Sequence, residues 1–232
     1  DMNIYSINFP IGAAAEVAPR SGRLATLGGD NTALIWDSAW KKPELVLSGH
    51  TNDVNSVDWS PDETKMVTAS LDGTVMIWDA QTGNALHTLI SHEGMVYIAI
   101  WSPDGSQIAS AGTDGVLRIW NVADATLTQS IKTNGEEVFS LAWAPNGVRL
   151  ISGHHDGNLR IWDVASGQLL ETLRGHQGIV TDLKWSPVDD RLISGDGNGY
   201  ARIWNAAPST AWRLYPPQAK RGGYWSAQLE WF

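Results

Sequence analysis

Between Ser48 and Ile90 the chain alternates short apolar runs with polar, turn-forming clusters, and no helical stretch of useful length interrupts them. Val54, Val57 and Trp59 mark a first strand, and Lys65 to Ser70 a second that is rich in β-forming side chains. Ser60-Pro61-Asp62-Glu63 separates them as turn chemistry, the proline presetting φ for a type I turn. Leu71-Asp72-Gly73 carries the Asp-Gly pair of a tight hairpin, and Thr74 to Trp78 reads as a third strand. Ala80-Gln81-Thr82-Gly83 turns the chain again, and Leu86 to Ile90 completes a four-stranded antiparallel meander.

The same pattern recurs. Trp36, Trp78, Trp120, Trp162 and Trp204 are spaced 42 residues apart, and Trp59, Trp101, Trp143 and Trp185 keep the same interval. The first turn returns as Ala18-Pro19, Ser102-Pro103, Ala144-Pro145 and Ser186-Pro187. The hairpin returns as Asp30-Asn31, Asp114-Gly115, Asp156-Gly157 and Asn198-Gly199. His50, His92 and His176 share a phase that Asn8 and Asn134 occupy in the other copies. A fixed period in this range is the mark of stacked supersecondary units. Stepping back one period from Glu44–Ser48 lands on Met2–Ser6, which therefore reads as a fourth strand and not as a targeting peptide.

Gly49-His50 and Gly175-His176, with Trp36-Asp37, Trp78-Asp79 and Trp162-Asp163, resemble the two ends of a WD repeat; Asn121 and Asn205 replace the Asp in two copies. The resemblance runs from about residue 2 to 215. It implies an all-β fold, a β-propeller of four-stranded antiparallel blades around a channel. The expected blades are 12–48, 54–90, 96–132, 138–173 and 180–215, with 2–6 and 222–232 as ring-closing or partial-blade segments of one propeller domain.

Composition narrows the function. With 43% hydrophobic and 18% charged residues the chain has the makeup of an ordinary globular protein. The net charge of −9 argues against nucleic-acid binding, which needs clustered Lys and Arg. No apolar run approaches the length of a membrane-spanning helix. The absence of cysteine excludes disulfides and thiolate metal sites and fits a reducing compartment, so a cytoplasmic location is expected.

His50, Ser70 and Asp72 are the residue types of a nucleophilic triad, but repetition is a property of scaffolds and not of nucleophiles. The WD-repeat resemblance instead implies a buried hydrogen-bonded tetrad of His50, Ser70, Asp72 and Trp78, complete in the second copy alone. Ser70 gives way to Gly112, His154 and Asp196 at that phase, and His154 is expected to stand in for the serine. His154, His155 and Asp156 invite a metal, yet adjacent strand residues point to opposite faces, so no metal site is expected. No catalytic constellation and no cofactor are expected either.

The resemblance also places partners on the face where the His-containing loop meets the first strand and the Asp hairpin turns. Three phases fall there: Ile11, Asp53, Met95, Glu137 and Ile179; Ala13, Asn55, Tyr97, Phe139 and Thr181; and Gly29, Leu71, Thr113, His155 and Gly197. Leu71, Met95, Tyr97, Phe139 and Ile179 would form an apolar patch edged by Asp53, Glu137 and His155. Its partner is expected to be a protein or peptide with basic and apolar side chains. The expected role is a non-catalytic scaffold; the alternative is a sensor domain of a larger signalling enzyme whose catalytic part lies elsewhere.

Five repeats leave the ring open. The expected resolutions are a longer parent protein cut within its propeller, a five-bladed ring sealed by the terminal segments, or completion by another chain in an oligomer. A fourth strand for the fifth blade is expected near Trp212–Tyr215, and a further first strand at Gly222–Ala227.

Overall fold

The computed structural model describes residues 15–134, 136–186 and 191–205. The first sheet is built of β1 (Ala15–Val17), β2 (Leu24–Leu27), β3 (Thr32–Trp36) and β4 (Pro43–Ser48). The second holds β5 (Val54–Trp59), β6 (Lys65–Ser70), β7 (Thr74–Asp79) and β8 (Ala85–Ile90). The third holds β9 (Val96–Trp101), β10 (Gln107–Gly112), β11 (Val116–Asn121) and β12 (Leu127–Lys132). The fourth holds β13 (Val138–Trp143), β14 (Arg149–His154), β15 (Leu159–Asp163) and β16 (Leu169–Leu173). The fifth holds β17 (Val180–Trp185), β18 (Arg191–Asp196) and β19 (Ala201–Asn205). Each is an antiparallel meander in chain order, and no helix occurs among the described residues. This is a β-propeller. The strands expected at Met2–Ser6, near Trp212–Tyr215 and at Gly222–Ala227 lie outside the described residues.

The blades pack face to face, and strand alternation decides which side chain serves which interface. In the second blade Met66, Met76 and Trp78 point toward the first blade, where they meet Ile35, Leu47 and Ala25. Val67, Ala69, Val75 and Ile77, one step out of phase, point toward the third blade and pack on Val96, Trp101 and Ile108. Both faces of β6 and β7 are therefore buried, and their sequences lack the apolar–polar alternation of a half-exposed sheet. Two further cores repeat the arrangement, one between the third and fourth blades and one between the fourth and fifth.

Turn chemistry follows the repeat. Position 31 of the first hairpin and its equivalents all take positive φ, from Gly115 at 64° to Gly73 at 85°, the backbone region that glycine and asparagine tolerate. Glu63 holds φ 61° where the next two blades carry Gly105 and Gly147. Its carboxylate accepts the backbone N–H of Arg20 and Ser21 from the first blade, which offsets the unfavourable conformation.

The first strands of successive blades also bond to each other. Ala99 N–H donates to Ser56 Oγ at 3.1 Å, Trp101 N–H to Asp58 Oδ2 at 2.7 Å, and Ser140 Oγ to the Val180 carbonyl at 2.9 Å. Asp58 is part-exposed but sits deep in the molecule, facing Glu16 and Lys184 from the equivalent position of other blades. Desolvation, reinforced by Glu16, raises its pKa to about 8, against the pull of the Trp101 and Trp59 N–H groups and of Lys184.

Candidate recognition face

The hydrogen-bonded tetrad exists, but its hydroxyl belongs to Thr68 and not to Ser70. Trp78 Nε1–H donates to Thr68 Oγ1 at 2.8 Å, and Thr68 Oγ1 lies 2.7 Å from His50 Nε2. His50 Nδ1 lies 3.0 Å from Asp72 Oδ2, which also accepts the Thr51 N–H at 2.9 Å. An indole can only donate and a carboxylate only accept, so the direction of the chain is forced. Thr68 receives from Trp78 and donates to His50, which is neutral and gives its Nδ1 proton to Asp72. Burial lowers the His50 pKa and keeps the ring neutral, with Asp72 opposing that shift. A hydroxyl both accepts and donates from a single atom, as the central position requires. Ser70 is buried too, but its Oγ donates to the Asn52 carbonyl and accepts the Asp72 N–H.

Nor is the second blade alone in this. Trp120, Ser110, His92 and Asp114 repeat the chain in the third blade, and Trp204, Ser194, His176 and Asp196 in the fifth. The indole–hydroxyl pair persists in the other two as Trp36–Thr26 at 2.9 Å and Trp162–Ser152 at 2.8 Å. In the fourth blade His154 Nε2 meets Ser152 Oγ at 2.7 Å, so it replaces the missing histidine and not the missing serine. Its pKa falls to about 3 through desolvation and the nearby Arg160. His154 is buried and His155 exposed, which separates the two imidazoles as strand alternation requires. His50, His92 and His176 spend both ring nitrogens on structural hydrogen bonds, and His154 spends its Nε2 on Ser152.

The three phases expected on one face do come together. In each of four blades, the carbonyl of the residue preceding the first strand accepts the N–H at the second-to-third-strand hairpin. The pairs are Asp53–Leu71 at 3.0 Å, Met95–Thr113 at 3.0 Å, Glu137–His155 at 3.2 Å and Ile179–Gly197 at 2.8 Å. The residue two positions further on is then squeezed out of the ladder. Asn55, Tyr97, Phe139 and Thr181 each fall at a β-bulge, where the pairing of the first two strands skips one residue. A bulge re-aims its extra side chain, and here it does so four times.

Successive bulge residues touch. Asn55 Nδ2 donates to the Tyr97 carbonyl at 2.9 Å, the Tyr97 ring stacks on Phe139 at 5.1 Å, and Phe139 meets the His155 ring at 6.0 Å. Two of these residues are not surface groups as expected. Phe139 is 4% exposed and Asn55 7%, so both underlie the face. Met95 at 46%, His155 and Asp53 are exposed, while Leu71, Tyr97, Thr113, Glu137, Ile179 and Thr181 are half-buried. Desolvation and the adjacent Glu137 raise the Tyr97 phenol pKa, keeping it a neutral donor. Ile11 and Ala13 lie outside the described residues. Among the described residues no group of three or more His, Cys, Asp or Glu side chains could hold a metal, and no helix is long and apolar enough to cross a membrane.

Comparison with known proteins agrees with this architecture. One 42-residue stretch is 57% identical to Ribosome assembly protein 4 of Chaetomium thermophilum, and one of the same length is 52% identical to that of Saccharomyces cerevisiae. Each match covers 18% of this chain but 8% of the relative, the length of a single repeat. The family model described as the IFT122 first beta-propeller matches far more, residues 16–216. With its blades, its recurring Trp–hydroxyl–His–Asp chains and that match, the protein belongs to the IFT122 first beta-propeller family, a propeller of the WD-repeat type.

Proposed function

We propose that this chain is a non-catalytic recognition module that holds a protein segment on the face formed by Met95, Tyr97, Leu71, His155 and Ile179. Propellers of the WD type generally serve as protein-interaction scaffolds, which supports the general role. The observation that carries the specific reading is the Tyr97–Phe139 stack at consecutive bulges. A buried Phe139 holds the more accessible Tyr97 in one orientation, and a preorganised aromatic loses little entropy when a partner docks. Exposed Met95 adds an adaptable apolar contact beside it.

Charge selects the partner. Asp53 and Glu93 are exposed around this face and Glu136 and Glu137 half-exposed, within a chain of net charge −9. A segment pairing an apolar or aromatic anchor with Lys or Arg satisfies both features, and steering by the acidic rim would speed its association. Panning a random peptide library on the protein tests the reading. Selected sequences should combine basic and apolar residues and lose binding to Asp53→Lys/Glu137→Lys; enrichment of acidic or purely polar peptides contradicts it.

A further inference from the structure

The third strands β11, β15 and β19 carry Arg118, Arg160 and Arg202, spaced 42 residues apart. In two of the blades a carboxylate four residues earlier neutralises the guanidinium. Arg118 Nη1 lies 2.6 Å from Asp114 Oδ2, and Arg160 Nη2 lies 2.6 Å from Asp156 Oδ2. In the fifth blade that position is Asn198. The acid that remains nearby, Asp196, is already engaged. Its Oδ2 pairs with His176 Nδ1 at 2.9 Å and its Oδ1 accepts the N–H groups of Asn198 and Tyr200 at 3.1 and 2.9 Å.

Arg202 forms no ion pair among the described residues, and its buried Nε makes no hydrogen bond, because Gly175 stands where Ser91 Oγ accepts the Arg118 Nε–H at 3.1 Å. An unsatisfied buried donor of this kind is destabilising, and more so on a charged group. The guanidinium is nevertheless held in place. A Cβ built on Gly175 would lie 3.3 Å from Arg202 Cζ and 3.4 Å from both Nε and Nη1. Three near-equal distances mean that the guanidinium plane lies flat against the Gly175 backbone, in the loop that leads to His176. The planar group is packed on one face, its residue remains part-exposed, and its usual counter-charge has been replaced by a neutral amide.

We propose that Arg202 is a receptor for an oxyanion, a carboxylate or phosphate carried by a binding partner, which supplies the charge that Asp114 and Asp156 supply within their own blades. Preorganised guanidinium groups bind such planar or multidentate oxygens strongly. This site lies in the fifth blade beside the Asp196–Gly197 hairpin, and its charge preference is opposite to that of the acidic rim.

The test is titration of the protein with inorganic phosphate and, separately, acetate, following the arginine side-chain N–H resonances. Arg202 should shift saturably while Arg118 and Arg160 stay unmoved. Asn198→Asp, which restores the internal pair, should weaken binding about tenfold or more, and Arg202→Gln should abolish it. Unmoved Arg118 resonances in both variants certify the fold. Response to phosphate alone assigns a phosphorylated partner group; response to acetate as well assigns a carboxylate. Equal shifts of all three arginines, no saturable shift, or unchanged affinity in Asn198→Asp would overturn the proposal.

Discussion

Thr68 accepts a hydrogen bond from the Trp78 indole at 2.8 Å across the second blade, and this pair makes the blade's polar interior self-sufficient. Removing the hydroxyl strands two buried partners at once, since His50 Nε2 also depends on it. Thr68→Val, close in shape, should therefore destabilise the protein by roughly 2–4 kcal/mol. Ser70→Ala, two residues on, removes the bond to the Asn52 carbonyl and the one accepted from the Asp72 N–H, and should cost about 1–2 kcal/mol. Urea unfolding of the two variants side by side checks the ranking.

Tyr97 and Phe139 should separate on substitution, although they stack on each other. Phe139→Ala opens a cavity beneath the face and should cost about 3 kcal/mol or more. Tyr97→Ala removes a side chain that is only half-buried, and should cost far less while reducing peptide binding at least tenfold. Thermal unfolding and titration with a selected peptide read the two effects independently.

Asp58 makes stability fall as pH rises. Its folded pKa of about 8 lies above the ordinary value of 3.8, so the folded state holds this proton more tightly than the unfolded chain does. The contribution is fully present below about pH 4 and lost as pH climbs through 8, by at most about 1.4 kcal/mol per pH unit. Asp58→Asn should flatten that slope in unfolding measurements between pH 5 and pH 9.

His154 works from the other side. Its folded pKa of about 3 lies below the usual 6.5, so the unfolded chain takes up the proton first. Stability contributed by the neutral ring is complete above pH 6.5 and declines as the pH falls toward 3. His154→Gln should reduce the loss of stability between pH 6 and pH 4, as seen by circular dichroism.

The repeat made the fold legible because each blade must present the same faces to its neighbours, and Trp78 or Val67 cannot drift without breaking an interface. The tetrad hydroxyl was misplaced for a local reason. Ser70 sits beside the Asp72 hairpin and has the right chemistry, but strand geometry puts Thr68 under the indole. The signal was available: Thr26, Thr68, Ser110, Ser152 and Ser194 are hydroxyl residues in all five copies, whereas the Ser70 phase is not. The burial of Phe139 was not legible. The bulge that holds it recurs in four blades, so it leaves the period unbroken. The fifth tetrad hid because its acid lies two positions earlier in the chain than the hairpin phase, at Asp196.

Hydrogen–deuterium exchange of the protein with and without a selected basic–apolar peptide tests the recognition face most directly. Protection is predicted in the segments around Met95–Tyr97, Thr113, Glu137–Phe139 and His155, with the outer strands β4, β8 and β12 unchanged. Protection confined to those outer strands, with the Tyr97 segment exchanging as in the free protein, would contradict it.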